Sequence, residues 1–145
     1  MTGNRTHVRI SREHWQMVRQ LGDAYRLPHC HVVGMVIRAW GELDGDVRRQ
    51  VRDRYLAWKA SLARGALSIR NECWLDAEDY LVLESVHFEM SVESITDAIA
   101  LCCRGWYEMP LHIRDVHVQR CRKIVLKRDG RRRVADAALA RERVH

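Results

Sequence analysis

Proline and phenylalanine are scarce in this chain, with two Pro and one Phe among 145 residues. So little Pro, and no low-complexity stretch, argues against long disordered segments. No run of about 18 apolar residues occurs, so no membrane span is expected. The first residues, Met1-Thr-Gly-Asn-Arg-Thr-His7, hold no apolar core of the kind a secretory leader needs. Five Cys, an odd number without a repeated disulfide spacing, suit a reducing cytoplasm, the expected location. Enzyme signatures are missing as well: no glycine-rich phosphate loop, no nucleophile elbow and no His-Glu-x-x-His. Glu78, Asp79 and Glu84 read as a solvated acidic face. Neither an enzymatic activity nor a cofactor is expected.

The chain is rich in periodic pattern. Val8 and Ile10 alternate with His7 and Arg9, the period of a short strand with one buried face over Thr6–Ser11. Ser11 offers an N-cap, and Glu13 puts a negative charge in the turn that follows. A helix pattern then runs through Trp15, Val18 and Leu21 until Arg26-Leu27-Pro28 interrupts it. Val32, Val33, Val36, Ile37 and Trp40 make one apolar stripe of a second helix. The pattern returns 65 residues later. Ile10 becomes Leu75, Ser11 Asp76, Glu13 Glu78, Trp15 Tyr80, Val18 Leu83, Leu21 Val86, Leu27 Val92 and Val33 Ala98. The second strand is predicted at 70–75, with Cys73 and Leu75 inward, and the following helices at 77–89 and 92–106. The last of these opens at Ser91-Val92-Glu93-Ser94 and carries the stripe Ile95, Ala98, Ile99, Cys102 and Trp106. The bland alternative is a coincidence between two helical segments.

Strand, helix, helix at this spacing resembles the ribbon–helix–helix DNA-binding family of the Arc/MetJ type. Residues 5–40 and 70–106 carry the resemblance, about half the chain. Val8-Arg9-Ile10-Ser11-Arg12-Glu13 looks like the strand-to-helix junction of that family. Ser91-Val92-Glu93-Ser94-Ile95 is similar to the start of its second helix. Two copies in one chain resemble the tandem form of TraY-type conjugation accessory proteins. The implied fold is mainly helical: two ribbon–helix–helix units forming an intramolecular pseudo-dimer with a two-stranded antiparallel ribbon, plus extra helices. Residues 1–65 make the first unit, with an additional helix at 44–63. Residues 66–145 make the second, with an additional helix and a basic tail, and the two units share one core. Residues 6–10 are expected to pair antiparallel with 71–75.

Charge is unevenly spread. Residues 1–43 hold six Arg against three acids and residues 44–65 six bases against three, each a net +3. Residues 66–109 hold two Arg against nine acids, a net −7, and residues 110–145 eleven bases against four acids, a net +7. An acidic second unit repels phosphate unless its acids are paired or face away. In the 44–63 helix, Val47, Val51, Tyr55, Trp58 and Leu62 form a seam, with Arg48, Arg49, Arg52 and Lys59 opposite. We read it as packed on its own unit with a solvated basic back, and ended by Gly65. Met109-Pro110 opens a further helix, paralleling the 44–63 helix, with Ile113, Val116, Cys121, Ile124 and Val125 apolar. Lys127 to Arg133 reads as a basic break, followed by a short Ala-rich helix to His145.

A two-stranded ribbon fits the major groove of DNA. Alternation puts Arg5, His7 and Arg9 of one strand, and Arg70, Glu72 and Trp74 of the other, on the face that would read bases. Arg bonds guanine O6 and N7 together, and Glu accepts from cytosine N4. The alternative for this face is ordinary surface charge, although an exposed Trp on a short strand often marks a contact surface. The resemblance assigns phosphate contacts to the N-termini of the second helices, at Arg26 and Leu27 and at Ser91 and Val92. Pro28 has no N–H to give, and Glu93 sets a carboxylate where phosphate would sit. Arg131, Arg132 and Arg133 of the tail are further phosphate candidates. His29-Cys30-His31 and the pair His117 and Cys121 lack the third and fourth ligands zinc needs, so no metal site is assigned. The expected partner is double-stranded DNA, bound by a monomeric pseudo-dimer able to associate further on it, and no membrane. The expected roles are repression or plasmid and conjugation accessory work. The alternatives are a protein partner on the acidic second unit and, weakest, a metal-responsive regulator.

Overall fold

The computed structural model describes residues 5–62 and 69–143, and the side chains within 5–62 and 71–141. The fold is mainly helical with one two-stranded antiparallel sheet. Strand β1 (Arg5–Ser11) leads into α1 (Arg12–Tyr25) and α2 (His29–Ala39), and after a short turn of 3-10 helix into α3 (Gly45–Ser61). Strand β2 (Ile69–Asp76) is followed by α4 (Ala77–Met90), α5 (Ile95–Trp106) and α6 (Leu111–Arg143). Each half of the chain thus runs strand, helix, helix, helix. The position of Gly65 as a helix stop lies outside the described residues.

Alternation decides which face of the ribbon is buried. Val8, Ile10, Cys73 and Leu75 are all in the core, and a one-residue slip would turn that whole set outward. Thr6 pairs with Leu75, Val8 with Cys73 and Ile10 with Asn71, so 6–10 lie against 71–75 as expected. The register shifts between Ile10 and Ser11, where the chain turns into α1. This turn buries Ser11. Its hydroxyl meets the Nδ1 of His14 rather than capping α1, so Ser11 is an N-cap by position only.

One core cluster draws on both halves: Val18 and Leu21 of α1, Leu83 and Val86 of α4, and most of α2 and α5. Helices α2 and α5 pack on each other, α3 packs on α5, and α6 packs on α2. The 44–63 helix therefore packs chiefly on a helix of the other half, whose apolar surface its seam needs, while Tyr55 and Trp58 also lie against His14 of its own half. Val51 and Tyr55 are buried there. Gly105 of α5 lies against the indole of Trp40; a Cβ at Gly105 would stand 2.7 Å from that ring, so the close crossing requires glycine.

The 65-residue offset holds from β1 through α1. Arg26 (φ 56°) and Ser91 (φ 53°) are the two non-glycine residues of positive φ among those described, and both end a helix. Beyond this turn the offset is 66, since α2 starts at His29 and α5 at Ile95. The second turn holds one extra residue. Val33 thus corresponds to Ile99 rather than Ala98, and Trp40 to Trp106, both of these Trp being buried. No helix of the described residues is long and apolar enough to cross a membrane.

The expected break at Lys127–Arg133 is absent, because α6 runs unbroken to Arg143. Gly130 is the weakest helix former in that basic run, and it costs about 1 kcal/mol relative to Ala, too little to stop a helix rich in Arg, Lys and Ala. From Asp129 to Arg141 every residue is exposed.

Candidate nucleic-acid interface

The outer face of the ribbon gathers five of the six residues expected to read bases. Arg9 lies opposite Glu72, His7 opposite Trp74 and Arg5 opposite Asp76. At the centre, His7 Nε2 stands 2.8 Å from a carboxylate oxygen of Glu72, and the imidazole packs 5.0 Å from the Trp74 ring. Trp74 remains 57% exposed, so this packing leaves most of the indole open to a partner. Arg5 and Arg9 flank the cluster, exposed, and among the described residues neither forms an ion pair. Arg70 lies in β2, but its side chain is outside the described set. An exposed contact such as His7–Glu72 contributes about 0–1 kcal/mol, so Glu72 is readily released to another donor.

The expected phosphate contacts at the helix starts need correction. Arg26 is the left-handed residue ending α1, and its N–H is given to the carbonyl of Gly22. Leu27 is buried, with its N–H also on the Gly22 carbonyl at 2.9 Å. Ser91 ends α4 with its N–H on Phe88, and Val92 is buried. The N–H groups of Arg26, Leu27 and Ser91 are thus all bonded within the chain. Helix α5 begins instead at Ile95, and Ser94 caps it by accepting from the Asp97 N–H at 3.1 Å. Helix α2 begins at His29, so the N–H groups facing out are those of its first turn. Glu93 is exposed beside the α5 start, 3.6 Å from Lys59.

A buried polar network, missed in the sequence, holds the start of α5 in place. Asp97 accepts from Ser94 Oγ at 3.1 Å, from the Tyr55 hydroxyl and from Lys59 Nζ at 3.0 Å. Burial alone would raise its pKa, but the bonds from Tyr55, Lys59 and Ser94 outweigh it and hold the carboxyl below the usual range. Lys59 is thus no solvated residue of a basic back; it neutralises a buried carboxylate. Next to it, His14 receives Arg104 Nε at 3.1 Å, and the Arg104 guanidinium lies 4.5 Å over the Trp58 ring. Burial first, and Arg104 second, push the His14 pKa down to about 4. Arg38 of α2 pairs with Asp79 of α4 at 2.8 Å. The signal that could have found Asp97 is Ser94-x-x-Asp97, a helix-start pattern.

Arg131, Arg132 and Arg133 are exposed and helical. Their helix passes the start of α2, where Arg128 Nη1 lies 3.3 Å from His31 Nε2. Arg128, His31, Trp74 and Asp76 line one small groove at the ribbon's edge. The basic extension therefore leaves the body next to the ribbon. His117 and Cys121 bond elsewhere, to Glu42 at 3.1 Å and to the His31 carbonyl at 3.5 Å. Among the described residues no three His, Cys, Asp or Glu gather as metal ligands. Comparisons with protein-family models, with curated proteins and with solved structures return no match.

Proposed function

We propose that the chain fuses two ribbon–helix–helix units into one pseudo-dimer that binds double-stranded DNA sequence-specifically, with the β1–β2 ribbon in the major groove. A transcriptional repressor or a plasmid or conjugation accessory protein would use it so. The register carries the reading. In an intertwined pair of equivalent units, the ribbon must be centred on two equivalent residues. Val8 and Cys73 are 65 residues apart, the offset of the repeat, and they pair with each other. The cross-packing of α3 on α5 and α6 on α2 supports the same arrangement. So does the exchange of polar contacts, Arg38 to Asp79 one way and Arg104 to His14 the other.

Arg9 is the residue on which the reading is tested. It is exposed on the outer face and free of ion pairs among the described residues, so it can make a two-point contact with guanine. Binding-site selection from random duplex DNA, with wild type and Arg9→Ala, is the experiment. Wild type is expected to select a defined site, and Arg9→Ala to relax it by about 1–3 kcal/mol at one position with unchanged thermal stability. An even loss across all sequences would make Arg9 a phosphate contact instead.

A second reading, a protein-interaction module, is favoured by α4. Leu81 and Phe88 are 63% and 88% exposed on one face, flanked by Glu78 and Glu84. Their counterparts 65 residues earlier are Gln16 and Asp23, so the fold itself has no need of apolar residues there. Failure of the wild type to select any DNA would leave this reading standing.

A further inference from the structure

Two thiols meet beneath the centre of the ribbon. Cys73, the middle residue of β2, is buried, and Cys30, in the first turn of α2, is half-buried; both are free. Cys73 Sγ donates to the Trp74 carbonyl at 3.6 Å, and Cys30 stands beside Trp74 in the groove at the ribbon's edge, next to the Cys73 thiol. Cys30 lines the small groove at the ribbon's edge, so a small reagent reaches it from solvent. Cys73 itself is 1% exposed and shut off from solvent.

Their surroundings divide the labour between them. The bond from Cys73 first, and then the Trp74 backbone, His29 and Arg5, hold the Cys30 thiol below its ordinary pKa against the opposing effect of burial. The start of α2 adds the positive end of a helix dipole. Cys73, beside the Cys30 thiol and desolvated, is pushed the other way. Cys102, Cys103 and Cys121 are buried, with thiols raised by desolvation.

The molecule carries its own control. The counterparts of Cys73 and Cys30 are Val8 and Thr96, and the Thr96 hydroxyl donates to the Arg9 carbonyl at 3.0 Å. One ribbon edge is thus built without sulfur. Folding does not require the pair of thiols found at the other.

We propose that Cys30 and Cys73 are a modification site for hydroperoxides, with Cys30 attacking and Cys73 resolving. The Cys30 thiolate attacks one peroxide oxygen, the O–O bond breaks, and the other oxygen leaves and takes a proton. Cys30 is then a sulfenic acid. The Cys73 sulfur attacks the Cys30 sulfur, the S–O bond breaks, and water departs with the Cys73 proton. Two thiols and hydrogen peroxide give one disulfide and two waters; the thiols lose two electrons and the peroxide gains them. The proposal stands whether or not the ribbon binds DNA.

The test treats the reduced full chain with hydrogen peroxide, blocks free thiols in denaturant and maps peptides by mass spectrometry. The expected product is a Cys30–Cys73 cross-linked peptide lighter by two hydrogens, formed at least about tenfold faster than oxidation at Cys102, Cys103 or Cys121. Cys30→Thr is expected to abolish it. Cys73→Val is expected to stop Cys30 at a sulfenic acid that a dimedone probe captures. Both replacements copy the residue at the equivalent position, and the wild-type peptide map decides the matter if either variant misfolds. Oxidation of Cys30 no faster than the buried thiols, or without a bond to Cys73 in the wild type, would overturn the proposal.

Discussion

His14 keeps its imidazole neutral where a free histidine titrates. Burial and the neighbouring Arg104 lower its pKa from 6.5 to about 4, with Asp97 pulling weakly the other way. The unfolded chain therefore takes up a proton near pH 6.5, and the folded one waits until about pH 4. Stability from this residue is whole above pH 6.5, is lost as the pH falls toward 4, and changes no further below. The difference amounts to roughly 3 kcal/mol. Urea unfolding at a series of pH values is expected to show this slope, and His14→Gln to remove it. A wild-type slope retained in the variant would place the titration elsewhere. None of this was legible in advance. His14 stands in the sequence as one more helical polar residue, and Asp97 as one more acid in a count of nine. Only the packing of α3 across α5 brings Tyr55 and Lys59 to that acid.

At the scale of elements, the ribbon was the most legible part. A strand's side chains alternate with a period of two, so apolar Val8, Ile10, Cys73 and Leu75 fix which face is buried and exclude a one-residue slip. Helix ends were harder. Ser91 has the look of an N-cap, yet like Arg26 it is a left-handed helix end, and the extra residue that delays the start of α5 to Ile95 has no signature of its own. The seam of α3 was readable, but not the helix it would lie on, because an apolar stripe names no partner. In α6, clustered charge looked like a break, whereas Arg and Lys are good helix formers. That helix now allows a sharper expectation. Deleting 129–145 removes Arg131, Arg132 and Arg133 while keeping the Arg128–His31 contact. Binding to all DNA sequences is expected to weaken, and the slope of log affinity on log salt to flatten by about 0.9 for each phosphate no longer neutralised. An unchanged slope in a salt titration would remove the tail from the interface.

The whole molecule differs from a pair of identical subunits in what its two strands can present. His7 corresponds to Glu72 and Arg9 to Trp74, so equivalent positions carry unlike chemistry. Residues 1–65 carry a net +6, whereas residues 66–109, which hold the second strand and the two helices after it, carry a net −7. A reader so constituted is expected to choose a site without two-fold symmetry, with a guanine contact in the half facing Arg9. The selected sequences check this directly, and a palindromic consensus would contradict it.

The pairing of β1 with β2 also sets an order of events on the ribosome. Asp76 follows Ser11 by 65 residues, which at about 5–20 residues per second takes about 3–13 s. Through that interval β1 exists with an open edge, and the apolar stripe of α2 has no α5 to cover it. Successive ribosomes on one message carry the same unfinished half, each with the same exposed strand. Whether a ribbon closes within its own chain is thus a race between the emergence of β2 and the nearest nascent neighbour.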